Sequence, residues 1–284
     1  MAANPENQPA TAAESDKLKI YFLPNLMTAG NLFCGFLALT KIVEADPASD
    51  DFTKTIHTAL FLILLACIFD LLDGRVARMG GHESPFGREF DSLADIVSFG
   101  AAPAFLVHRI VLANVFHDRP QIGWFIASVY LICGAFRLAR FNCLAAMSSG
   151  GGGKEFLGFP IPAAAGLVAS LTLLLLWVEE KGFTVSKWRF LLPVILLFLS
   201  AMMVSEVKYP SFKSLDFRAK RSFLKMLSIV LCVGFFLILW EHVLPILAPA
   251  IFTVYLLYGF VRPYIPRATQ REIEEETDEP ESPH

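Results

Sequence analysis

The chain has 284 residues, of which 55% are hydrophobic, with 26 Phe and 17 Pro. That apolar share exceeds the roughly 45–50% of soluble domains, which argues against one large soluble core and for an integral membrane protein. The formal net charge of −3 says little, because the charges are segregated along the sequence, and no nucleic-acid partner is expected.

Residues 1–17 are polar and rich in Ala and Pro, and lack the basic-then-apolar order of a secretory signal. They read as a disordered tail. Crossing a hydrocarbon core takes about 20 largely apolar residues. Eight such segments follow, near 24–44, 56–73, 90–112, 122–144, 160–179, 188–206, 223–241 and 244–262. Gly, Pro or charge fills the breaks, as in ADPASDD, SSGGGG (148–153) and EEKG, and GFPIP (158–162) marks a helix start through its prolines. Residues 18–220 form a membrane domain of about six helices, 221–264 a C-terminal helical hairpin, and 265–284 an acidic, disordered tail. With the N-terminus in the cytoplasm, sixteen Lys and Arg fall on the cytoplasmic side. Six fall opposite: Lys54, Arg109, Arg119, Lys181, Lys187 and Arg189. This bias orients the chain with both termini inside. The expected fold is an all-α integral membrane protein, with about eight transmembrane helices around a cytoplasm-facing polar cleft.

The five cysteines lie singly, without C-x-x-C spacing, and read as buried thiols rather than disulfides or a zinc site. The six histidines are scattered. The chemistry lies elsewhere. Asp70 and Asp73 close the second segment (FLILLACIFDLLDG), and Asp91 and Asp95 open the third. Carboxylates at a membrane are costly and mark function. Asp70, Asp73 and Ala77 share one helical face, and Gly87, Asp91, Asp95 and Ser98 share another. Two consecutive helices can therefore aim both acidic faces into one cleft, where Gly74, Ala77 and Gly87 remove bulk. Four neighbouring carboxylates repel, and two divalent ions would cancel their charge. All-oxygen ligation suits Mg²⁺ or Mn²⁺, and a two-metal clamp suits displacement at phosphorus. Arg75 and Arg78 stand ready for phosphate oxygens. The plainer reading makes these aspartates interfacial partners of Arg75, Arg78 and Arg88. The spacing of four argues against it.

The pattern D-x-x-D-G-x-x-A-R-x8-G-x3-D-x3-D fixes eight of 26 positions. It resembles the signature of the CDP-alcohol phosphatidyltransferase family at every defined position. Segments 23–38, 90–104, 135–142, 156–166 and 203–213 look like the phosphatidylserine synthase branch. The resemblance implies CDP-diacylglycerol and L-serine as substrates, two Mg²⁺ or Mn²⁺ ions, and a homodimer in a bacterial cytoplasmic membrane with its active site facing the cytoplasm. It implies metal ligation by Asp70, Asp73 and Asp91. Asp95 would be the general base, and would also touch metal. Gly74, Ala77, Arg78 and Gly87 would lie against the CDP moiety and its phosphates.

Other positions keep two readings. Asn25 and Thr28 are either near the nucleotide or simply a Pro/Asn helix start. Arg137, Arg140 and Asn142 bind the acceptor or a lipid phosphate, or snorkel at the interface. Lys213 precedes a basic run that attracts anionic lipid or only obeys the positive-inside bias. Two other functions compete. One is the same chemistry with another acceptor, such as glycerol 3-phosphate, inositol phosphate or choline. The other is a carboxylate-based cation transporter, disfavoured by the absence of an internal repeat and by aspartates at the membrane edge.

Overall fold

The computed structural model describes residues 22–80, 84–147, 155–182, 190–210 and 240–261. Seven helices run through them. They are α1 (Phe22–Glu44), α2 (Phe52–Gly80), α3 (Pro85–Val115), α4 (Pro120–Met147), α5 (Ile161–Glu180), α6 (Leu191–Val204) and α7 (Trp240–Val261). Of these, α1, α2 up to Gly74, α3, α4 and α5 are long and apolar enough to cross a membrane. The chain is thus a helical protein with five candidate spans among the described residues, consistent with an integral membrane protein.

The sixth expected span, 188–206, is described only from residue 190. Within it α6 covers 14 residues, an apolar helix shorter than the five candidate spans. In α7 only Pro245–Gly259 counts as an apolar stretch. The span expected at 223–241 lies outside the described residues except for Trp240 and Glu241, which belong to α7, and the loop at 148–153 and both tails lie outside them as well.

Local chemistry explains several boundaries. α3 begins a turn earlier than its apolar run because Ser84 caps it: Ser84 Oγ accepts from the Gly87 amide at 3.0 Å, and Pro85 occupies the first turn. α5 starts at Ile161 behind Pro160, as GFPIP leads one to expect. One feature departs from an all-α fold. Strand β1 (Glu155–Leu157) pairs antiparallel with β2 (Lys208–Pro210), with Phe156 opposite Tyr209. Non-helical backbone beside a membrane needs hydrogen-bond partners, and these two connectors supply them to each other.

Packing follows the small residues. α1 lies along α2 and also against the first half of α3; α4 packs on α6, and α5 on α7. A Cβ on Gly166 would fall 2.2 Å from the Phe252 ring, so only glycine lets α5 and α7 approach so closely. Phe33, Phe36, Phe125 and Phe136 face outward, as lipid-facing side chains do. The buried interior carries Tyr130, Phe99, Phe159, Ile161 and Tyr209. α3 contains two wide π-helical turns, Ile96–Ala101 and His108–Leu112, and the first begins directly after Asp95. Such turns recur at functional sites.

Candidate active site

Three helices build the site. α2 presents Asp70 and Asp73, α3 presents Asp91 and Asp95, and α1 supplies polar side chains between them. The buried stripe of α1 runs Pro24, Thr28, Asn31, Cys34, Gly35, Ala38, Ile42, at the three-and-four spacing of one helical face. Its polar members meet the carboxylates. Thr28 Oγ1 donates to Asp73 Oδ2 at 3.0 Å, and Asn31 Nδ2 donates to Asp95 Oδ1 at 3.1 Å.

The four aspartates are not equivalent. Asp70, Asp91 and Asp95 each offer an oxygen, all within 4.8 Å of one another. Asp73 stands beside this triplet, within electrostatic reach of Asp70 and Asp91 but tied to Thr28. Asp73 and Asp95 are both 5% exposed. Asp91 Oδ1 is buried and has no hydrogen-bond partner. A buried acceptor of that kind is expensive, and a cation would satisfy it. The donor set is all oxygen and bears excess negative charge, which fits Mg²⁺ or Mn²⁺ rather than zinc.

Arg137 reaches the same place from α4. It is 7% exposed and acts electrostatically on Asp70, Asp91 and Asp95, with its guanidinium 6.0 Å from the Phe141 ring centre. Arg140, three residues along, does not join it. Its guanidinium donates to the carbonyls of Val204 and Ser205 at 2.9 Å, Leu157 at 3.2 Å and Met203 at 3.4 Å, closing the C-terminal end of α6. Gly158 lies against this knot with φ +79, and a Cβ there would meet the Met203 carbonyl at 2.3 Å. Asn142 bridges α4 to α3, donating to Glu89 Oε2 at 3.2 Å and Ser92 Oγ at 3.0 Å.

The expected nucleotide contacts divide. Gly74 follows Asp73 on α2 and is half-buried. Asn25 and Gly87 are neighbours, since a Cβ on Gly87 would lie 3.5 Å from Asn25 Oδ1. Ala77 and Arg78 belong to α2, but their side chains fall outside the described residues, as does Lys213 altogether. Asn31 escaped the sequence reading. Its signal was a polar residue one turn beyond Thr28, on the face that turns inward.

Comparison with known proteins gives a consistent picture. Residues 21–209 match the model of the family described as CDP-alcohol phosphatidyltransferase. The chain is 34% identical over 244 residues to CDP-diacylglycerol–serine O-phosphatidyltransferase of Helicobacter pylori (strain ATCC 700392 / 26695), covering 86% of this chain and 91% of that one. It is 34% identical over 192 residues to the Bacillus subtilis (strain 168) protein of the same name, covering 68% and 92%. An archaetidylserine synthase of Methanothermobacter thermautotrophicus is 33% identical over 190 residues, covering 66% and 69%.

Proposed function

The chain belongs to the CDP-alcohol phosphatidyltransferase family, and on that premise we infer that it transfers the phosphatidyl group of CDP-diacylglycerol to L-serine, giving phosphatidylserine and CMP. One observation carries the reading at the level of chemistry: Asp70, Asp91 and Asp95 converge, with Asp73 alongside, in a chain that matches the family over residues 21–209. An acidic, partly buried cluster at the junction of three helices suits a nucleotide-activated lipid, whose phosphates must be neutralised before an alcohol can attack.

The residues divide the work. Asp70, Asp73, Asp91 and Asp95 would hold the divalent ions, which supply charge neutralisation at the pyrophosphate. Asp95 takes the proton of the serine hydroxyl as its oxygen bonds to the phosphorus bearing diacylglycerol, and the bond from that phosphorus to the CMP oxygen breaks. Neither a covalent enzyme intermediate nor a nucleophilic side chain is required. Asn25, Thr28, Gly74, Ala77, Arg78 and Gly87 line the CDP side. Arg137 suits the acceptor carboxylate or the lipid phosphate, because its cation is buried beside the base. Arg140 and Asn142 support the cleft by bracing helices. Lys213 serves anionic headgroups.

The same reading extends to the whole chain. The Lys and Arg asymmetry supports eight spans with both termini and the site on the cytoplasmic side of a bacterial cytoplasmic membrane. A homodimer is the assembly that the family resemblance implies.

The test uses detergent-purified protein with CDP-diacylglycerol, Mn²⁺ or Mg²⁺ and labelled serine. Label should enter phosphatidylserine as CMP appears. Release of CMP only with another alcohol would overturn serine as acceptor, and no CMP with any alcohol would overturn the enzyme.

A further inference from the structure

We propose that Asn31 is a positioning residue for Asp95, held in place by Ser98 across the α1–α3 contact. The proposal rests on the reading of Asp95 as general base. A carboxylate only accepts, so the amide of Asn31 must turn its NH₂ group toward Asp95, as the 3.1 Å contact to Oδ1 requires. Asn31 is fully buried, and its own Oδ1 has no hydrogen-bond partner. An amide free to choose would satisfy that oxygen. It is kept as it is by the bond to the carboxylate, a charge-assisted bond of the stronger kind.

The backbone of Asn31 is fixed as well. Ser98 Oγ donates to the Asn31 carbonyl at 3.0 Å. Ser98 sits in the wide turn directly after Asp95, so the same stretch of α3 grips Asn31 at two points: by its amide through Asp95 and by its carbonyl through Ser98. Gly35 makes the grip possible. A Cβ at that position would lie 2.1 Å from Ser98 Oγ and 2.6 Å from Ser98 Cα, so any side chain would push α3 off α1. Occupying one carboxylate oxygen of Asp95 restricts its rotamer. The orientation of the base is thereby fixed before substrate arrives, which is the form of preorganisation that raises turnover rather than affinity.

A double-mutant cycle tests this. Asn31→Ala should lower kcat roughly tenfold to a hundredfold, the range for losing a hydrogen bond to a charged group. KM for CDP-diacylglycerol should stay within about twofold, because it reads binding of the lipid nucleotide rather than the orientation of the base. In an Asp95→Asn background the same change should cost almost nothing, since the group it positions is gone. A merely structural role would cost the same in both backgrounds, and that result would overturn the proposal. So would an unchanged kcat, or a loss confined to KM. Ser98→Ala provides a second variant that leaves the Asn31 side chain intact. Its smaller kcat loss should vanish in the Asp95→Asn background, and should be less than additive with Asn31→Ala. Wild-type protein that makes phosphatidylserine while the cycle shows no coupling defeats this inference alone. Wild-type protein that releases no CMP with any alcohol defeats the function instead.

Discussion

Asp95 receives the most specific support of the four aspartates. It is buried, joins the triplet with Asp70 and Asp91, and accepts from Asn31. Replacing it with Asn keeps the shape and removes the base. Turnover should fall by roughly 10²-fold or more while KM for CDP-diacylglycerol changes little. Steady-state kinetics on both substrates checks this, and near-normal turnover would move the base elsewhere. The unpartnered Oδ1 of Asp91 makes a second prediction. Chelation should abolish turnover and Mn²⁺ or Mg²⁺ should restore it, with a rise in melting temperature on readdition, because a cation binding only the folded site stabilises it by mass action. Activity indifferent to chelator would sink the metal reading. The spacing of the aspartates was legible in the sequence because it depends only on helical period. The Thr28–Asp73 and Asn31–Asp95 pairings were not, since they span 45 and 64 residues and exist only once α1 lies between α2 and α3.

Among the helices, α6 shows how a polar side chain secures an end that hydrophobicity marks only roughly. Its apolar run ends with Met202, Met203 and Val204, and the helix stops with it at Val204, where Arg140 gathers the last carbonyls and Ser205 turns extended. Arg140→Ala should leave several of those carbonyls without partners. A loss of about 2 kcal/mol or more is expected, read as a melting temperature lower by roughly 4 °C or more in detergent. Arg140→Lys should recover little, because a single ammonium cannot span the fork. A variant with unchanged stability but a large rise in KM for serine would assign Arg140 to the acceptor instead. The paired strands β1 and β2 belong to the same region: Tyr209 packs its ring 5.2 Å from Phe159 and 5.7 Å from Tyr255, so two short connectors become part of the core. Nothing in three-residue stretches announces such pairing.

At the level of the whole molecule, the aspartate site lies where α1, α2 and α3 meet, while Arg109 at the far end of α3 donates to the Ala45 carbonyl in the α1–α2 connection. The structure thus has an aspartate-bearing end and an opposite end, and the topology proposed from the charge asymmetry would put the first at the cytoplasm. A fluorescent protein fused after His284 should glow in bacterial cells, and alkaline phosphatase fused at Lys181 should be active. The reverse pattern would invert the topology and place the site on the wrong side for CDP-diacylglycerol and serine.

Residue order alone settled the membrane class, most helix positions, the acidic faces and the family signature. Each depends on local period, local apolar content or spacing within a hairpin. Tertiary structure decided which three carboxylates converge, why Asp73 stands apart, that Arg137 comes beside them while Arg140 closes a helix, and that Asn31 donates to Asp95. Those outcomes turn on close approach between helices distant in sequence, permitted where glycine leaves room, as Gly35 does against Ser98.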